Sequence, residues 1–228
     1  MINQLIRYES ILKYMHCNDY TSLNILEVGS GTNGICKFIN KTITGIDIDF
    51  KDYGVSCGKI NPLLKPMFGD ITKTLPFKKN EFDIVICVDV FEHLTKSKRQ
   101  IALSEITRVG KLLYLSFPVG SSSKKMDAVL QEHISFMGLK IPIWLDEHLN
   151  MEFPVINEFR KYFSNLNLKV MRSGNNENLI VHYIVIILET IPFLRFLGEL
   201  LSKTLILKHL TKYLSFGKTY RRFYYVQK

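Results

Sequence analysis

With 228 residues, 46% of them hydrophobic, the chain is long enough to bury a core without staples and too apolar to be largely disordered. Four widely spaced cysteines, Cys17, Cys36, Cys57 and Cys87, form no C-x-x-C pair, which argues against a disulfide frame and a zinc ribbon and predicts reduced thiols in a cytoplasmic setting. The net charge is +9, and residues 191–228 hold eight Lys or Arg against one acid, Glu199, so either an anionic partner or a solvated basic surface is expected at that end.

In chain order, residues 2–20 carry apolar side chains at Leu5, Ile6, Ile11, Leu12 and Met15, a loose helical pattern. No apolar stretch there suits a signal peptide. Short apolar runs then alternate with helical patterns. "NILEVG" reads as a strand and "GICKFINK" as a helix start; "TITGIDID" and "FDIVICVDVF" read as strands, a helix covers Ser97–Val109, and "GKLLYLSFP" is a strand stopped by Pro118. Nearly continuous apolar strands alternating with helices predict a parallel sheet covered on both faces. "GSSSKK" (Gly120–Lys125) reads as a mobile loop, and Asp127–Phe163 as mixed helix and loop with the single tryptophan, Trp144. "LNLKVMRSG" and "YRRFYYVQK" read as the last two strands. Between them, Asn178–Leu188 carries no acid, lysine or arginine but is too short to cross a bilayer. After Pro192 the pattern is amphipathic, with Phe193, Phe196, Leu197, Leu200 and Leu201 on one face, Arg195, Glu199 and Lys203 on another, and Gly217 as a helix stop.

The loop after the first strand is formally G-x-G-x-x-G, at Gly29, Gly31 and Gly34. Alone this is a weak signal. Glu27, two residues before Gly29, discriminates: a carboxylate repels a pyrophosphate but suits a ligand carrying an ammonium or sulfonium. The alternative is that Glu27 accepts hydrogen bonds from the loop's own backbone. Asp47, ending the second strand, can accept ribose hydroxyls. Asp70 in "MFGDIT" can accept an adenine amine with Ile71 against the ring, or simply make an Asp turn. Asp89, Glu92 and His93 lie at the carboxyl end of the strand "FDIVICVDVF", where an open sheet binds ligands.

"ILEVGSGTNG", "ITGIDID", "FGDI", "FDIVICVDVFEHL" and "GKLLYLSFP" resemble, in order and spacing, the class I S-adenosylmethionine-dependent methyltransferases of the small-molecule type. The resemblance covers Asn24–Pro118. It implies an α/β, Rossmann-like, doubly wound and mostly parallel seven-stranded sheet whose last strand is antiparallel. It implies S-adenosyl-L-methionine as cofactor, with Glu27, Gly29, Ser30 and Gly31 at the methionine end, Asp47 and Ile48 at the ribose, Asp70 and Ile71 at the adenine, and Asp89 beneath the cofactor. One departure is Asn33 where the family has its third glycine; Asn tolerates left-handed backbone. The absence of an N-P-P-Y motif argues against N-methylation of bases.

The whole of 1–228 is expected to be one domain, with 120–165 covering the acceptor and 178–217 inserted as helix between the last two strands. An oxygen acceptor needs a general base; His93 is the first candidate, followed by His133 and His148, each of which could instead make a structural hydrogen bond. No metal-ligand cluster is visible, so no metal is expected. The expected reaction is methyl transfer, preferably to oxygen, on a small-molecule, sugar or lipid-linked acceptor. The basic, apolar insertion could lie peripherally on the anionic inner face of a membrane, cap the core or form a homodimer interface. RNA methylation and a non-catalytic scaffold are the alternatives; nucleic acid is disfavoured because no RNA-binding module is visible.

Overall fold

The computed structural model describes residues 2–50, 59–191, 193, 194 and 216–228. The chain runs α1 (Ile2–Cys17), β1 (Ile25–Val28), β2 (Ile43–Asp47), β3 (Leu64–Phe68), β4 (Phe82–Val88), α2 (Lys96–Val109), β5 (Gly110–Pro118), α3 (Gly120–Phe136), α4 (Ile143–Asn150), α5 (Ile156–Asn165), β6 (Lys169–Asn178), α6 (Leu179–Thr190) and β7 (Thr219–Gln227). The strands form one seven-stranded sheet in the order β3-β2-β1-β4-β5-β7-β6. β1 to β5 pair in parallel, and β7 runs antiparallel to both β5 and β6. The expected architecture is therefore the observed one.

Hydrophobic burial on both faces holds this sheet. One face packs β1, β4 and β5 against α2 and α5, through residues such as Leu26, Val85, Leu103, Ile106 and Phe159. The other packs Ile25, Ile84, Ile86 and Tyr114 against Ile11 and Met15 of α1 and against Ile35 and Ile39. Each such side chain contributes about 1.5–3 kcal/mol on burial. The aromatics of β7 are spent here: Tyr220, Phe223, Tyr224 and Tyr225 are all buried, so they present no stacking surface to a nucleic acid.

Three local expectations need correction. The segment after the glycine loop makes only a short 3-10 turn, Gly34–Lys37, rather than a helix. Asn33 has φ −127°, and the left-handed residue is Gly34, at φ 51°; the chain turns one residue later than the family's spacing implies. Gly120–Lys125 is the first part of α3, not a loop. The buried face of α3 consists of Ser123, Asp127, Leu130 and Ile134, so its first half is polar and hydrophobic periodicity does not reveal it. The Ser123 hydroxyl is shared between the carbonyls of Val119 (2.7 Å) and Tyr220 (2.9 Å), which ties α3 to β7.

Within 178–217, α6 begins at Asn178, whose side chain accepts from the Val181 N–H at 2.9 Å, a standard N-cap. No helix among the described residues is long and apolar enough to cross a membrane. The amphipathic pattern read over 195–203 lies outside the described residues.

Candidate active site

The sheet order reverses between β1 and β4, so the loops leaving their carboxyl ends diverge and open a crevice. On the β1 side the three glycines have different reasons. A Cβ on Gly29 would collide with Val90, and one on Gly34 with the Glu27 carboxylate. Among the described residues, one on Gly31 meets nothing within 4 Å. Gly31 therefore leaves its side open for a ligand to approach the backbone. Its N–H donates to Asp47 Oδ2 at 2.8 Å, and the Asp49 N–H donates to Oδ1 at 3.2 Å. Each carboxylate oxygen keeps lone-pair capacity for a further donor. Burial raises the Asp47 carboxyl above its ordinary value against the opposing pull of those backbone N–H groups.

Glu27 is fully buried on β1. It accepts from the Tyr8 hydroxyl and the Ile35 N–H, both at 2.7 Å. Burial pushes its carboxyl up to about 7, with the Asp47 charge adding to the rise and the two hydrogen bonds opposing it. Of the two readings left open for Glu27, these hydrogen bonds show the second: it braces the loop backbone.

Asp70 Oδ1 accepts from the Thr72 N–H (2.9 Å) and hydroxyl (2.7 Å), which hold its carboxyl below the ordinary value. Ile71 is only 5% exposed and belongs to the core, so its side chain does not face the crevice. The exposed apolar groups at the carboxyl ends of β2 and β3 are instead Ile48 (74%) and Phe68 (75%). Phe68 pairs in register with Asp47; its place at a strand end was the only sequence signal for it.

On the β4 side, Asp89 sits at φ 55°, an uncommon conformation that Asp tolerates. Its carboxylate is held by Arg7 of α1, at 2.8 Å, and by Arg221 of β7. The following 3-10 turn carries Glu92 and His93. Phe91, between them and β4, packs edge-on against Phe159 and Phe117 with ring centroids 5.0 and 5.4 Å away. Arg99 of α2 donates Nε to the Phe91 carbonyl at 2.9 Å. The turn is thus pinned from below and from the side.

α4 brings His148 to this turn. Its Nε2 lies 4.0 Å from Glu92 Oε1, and its ring lies 5.2 Å from that of His93. His148 Nδ1 donates to Asp127 Oδ2 of α3 at 2.9 Å, and Trp144 and Phe153 flank the ring, each 5.1 Å away. Glu92 is 0% exposed, and neither of its oxygens is hydrogen-bonded to another described residue. Burial pushes its carboxyl up to about 8 and pushes the His93 imidazole down to about 4, the latter helped by His148 and Arg7. Glu92, His93 and His148 each offer a ligand atom, all within 4.8 Å of one another, a cluster invisible along the sequence. His133 lies elsewhere: it is exposed on α3 and bonded to the Tyr183 hydroxyl at 2.7 Å.

Residues 26–112 match the family model described as a methyltransferase domain. Residues 26–112 thus form a methyltransferase domain. No curated protein matches the chain. Among solved structures, the chain is similar to magnesium protoporphyrin IX methyltransferase from Synechocystis PCC 6803 with bound S-adenosylhomocysteine, at 14% identity and TM-score 0.57 over 100% of this chain and 84% of that one. A putative sarcosine dimethylglycine methyltransferase from Galdieria sulphuraria matches at 14% identity and TM-score 0.56, over 98% of this chain and 84% of that one. The cyclase SpnF matches at 13% and 0.58, over 98% and 80%. These likenesses are of fold; the reactions named in them differ.

The crevice fits S-adenosylmethionine, the cofactor that the resemblance implies: the open side of Gly31, the spare lone pairs of Asp47 and the exposed Ile48 and Phe68 offer backbone, polar and apolar contacts in turn. Sequence reasoning missed Arg7, Tyr8, Asp127 and Arg221. Arg221 left a trace: it shares a strand face with Phe223 and Tyr225, so a cation stands in an otherwise apolar row.

Proposed function

We propose that the chain methylates a hydroxyl oxygen of a small-molecule, sugar or lipid-linked acceptor. The cluster of Glu92, His93 and His148 beside Asp89 carries this reading. An attacking hydroxyl must give up its proton, whereas a carboxylate attacks as it stands. A largely buried cluster of two imidazoles and a carboxylate next to the cofactor crevice suits the former. S-adenosylmethionine supplies the activated methyl group and its own leaving group. In this reading Asp47 accepts from the ribose hydroxyls, Gly29, Ser30 and Gly31 let the backbone approach the methionine end, and Glu27 puts negative charge beneath it. Ile48 and Phe68 flank the adenine, and Asp70 accepts its amine. Asp89, fixed by its two arginines, sets the position of the β4 loop. The acceptor's proton passes to the cluster, and residues 120–165, which supply Asp127 and His148, cover the acceptor.

Apolar Ile180 and Ile184 of α6 and Phe136 of α3 are exposed, which favours an amphiphilic acceptor over a fully polar one. The test is transfer of labelled methyl groups to a panel of hydroxyl, amine and carboxylate acceptors, each offered free and as lipid-linked forms in anionic vesicles. Expected are product on hydroxyls, a preference for vesicle-borne acceptors, and a 10²–10⁴-fold loss of rate in His148→Ala. Transfer to amines or carboxylates alone, unaffected by His148→Ala, would sink the reading. Equal rates on free and vesicle-borne acceptors would remove its lipid component and leave the exposed face to a second copy of the chain.

A further inference from the structure

We infer that Glu92, His93 and His148 form a binding site for a first-row divalent cation. Two imidazoles and a carboxylate are a common donor set for zinc, cobalt or iron(II), leaving open positions for a further ligand. A hard cation such as magnesium prefers all-oxygen donors. All three ligand atoms already lie within 4.8 Å of one another. A tetrahedral site with bonds near 2.0–2.1 Å spaces its donors roughly 3.3–3.5 Å apart, so closing on an ion takes shifts of about 1 Å.

Charge accounting points the same way. Asp89 is matched by Arg7 and Arg221, and Glu177 by Arg221 and His182. Asp127 is matched by His182. Nearby Arg99 is taken by Glu158. Among the described residues around the cluster, Glu92 is the carboxylate left over, fully buried and with neither oxygen hydrogen-bonded to another described residue. A buried carboxylate in that state calls for a cation or a proton.

The surroundings are those of a ligating histidine. Asp127 accepts from His148 Nδ1 at 2.9 Å, which leaves Nε2, the nitrogen on the Glu92 side, with its lone pair free to bind. Carboxylate–histidine–metal arrangements use this same second contact to orient the ring. On the outer side, Glu147, half-exposed and 3.5 Å from His93 Nδ1, marks a route from solvent. With a cation held, the three side chains are ligands and no longer bases: the cation would acidify an acceptor hydroxyl bound to it, and the proton would pass to solvent water in place of the cluster as the methyl group arrives. That step alone rests on the O-methylation reading; cation binding does not.

The experiment is titration of the chelator-treated full chain with Co²⁺, followed by its visible absorption, with Zn²⁺ competition and thermal melts. Expected are one equivalent bound with the spectrum of nitrogen and oxygen ligands, no thiolate band, displacement by Zn²⁺ and a rise in Tm. His148→Ala and Glu92→Gln should each lose the spectrum, and Asp127→Asn should weaken binding 10–100-fold. His16→Ala, beside the exposed Cys17, should leave it unchanged. No stoichiometric binding by the unaltered chain overturns the proposal, as does a thiolate spectrum or a spectrum that persists in His148→Ala. The spectrum of the unaltered chain decides even where a variant does not fold. Because the readout is the ion itself, a chain that binds cobalt but methylates no hydroxyl would reject the reaction and keep the site, and the converse result would do the opposite.

Discussion

Glu27 braces the glycine loop from inside the sheet. Two donors hold its carboxylate, yet burial dominates and raises its titration to about 7. An acid whose folded value is raised contributes stability that is fully present below its ordinary value of 4.5 and lost as pH rises through about 7. Glu27→Gln cannot ionise, and its amide can donate to the Tyr8 oxygen while its carbonyl accepts from Ile35. The variant should therefore be as stable as the unaltered chain at pH 5 and more stable at pH 8.5, by on the order of 1–3 kcal/mol. Its affinity for S-adenosylmethionine should fall, since the charge is gone. Denaturant melts at the two pH values, paired with calorimetry, check both; lower stability of the variant at pH 8.5 would show the charged form to be favourable in the fold.

At the scale of elements, the 3-10 turn bearing Glu92 and His93 depends on α2 and α5. Arg99 is buried, donates to the Phe91 carbonyl and pairs with Glu158 at 3.2 Å. Removing one partner strands the other charge, so Arg99→Ala should cost about 3–5 kcal/mol in chemical denaturation. Replacing both partners by apolar residues, Arg99→Met with Glu158→Leu, should recover most of that loss. It should not recover methyl transfer, because the turn would still lack its anchor on Phe91. Full recovery of activity in the double variant would mean that packing of Phe91 against Phe117 and Phe159 suffices to place the turn.

Across the whole molecule, a buried polar chain joins Asp89 at the crevice to the cluster of Glu92, His93 and His148. Asp89 pairs with Arg221, Arg221 with Glu177, Glu177 with His182, His182 with Asp127, and Asp127 with His148. It stitches β4, β7, β6, α6, α3 and α4 together. His182 stacks on Tyr220 with ring centroids 3.4 Å apart. It faces two carboxylates, which only accept, so both its nitrogens carry protons. Burial lowers its titration, but Glu177 and Asp127 outweigh burial and raise it. Its contribution is full below the ordinary histidine value and fades as pH rises through the raised one, the same direction as Glu27. Stability should therefore peak on the acid side of neutrality, despite a pI near 9.3. His182→Leu should lower it by about 3–5 kcal/mol at pH 6 and by less at pH 9. Unfolding free energies across that range test this, and a maximum at pH 8 or above would contradict it.

The sequence determined the parallel sheet, the chain positions of β1, β2, β4 and β5 and the resemblance to the methyltransferases, because those rest on local patterns: apolar runs of strand length, glycines at a strand–helix turn and acids at strand ends. It also placed Glu27, Asp47 and Asp89 at the crevice, since strand ends in such a sheet converge on one edge. It did not place Ile71, which the core takes while Phe68 stays exposed, because one residue of register reverses the face of a side chain. Nor did it reveal α3, whose buried stripe is half polar. The acceptor cluster was decided by tertiary structure alone. Glu92 and His93 stand 55 or more positions from His148 in the chain, and only the packing of α4 against the β4 turn brings their ligand atoms together, with Glu92 buried and not hydrogen-bonded to another described residue.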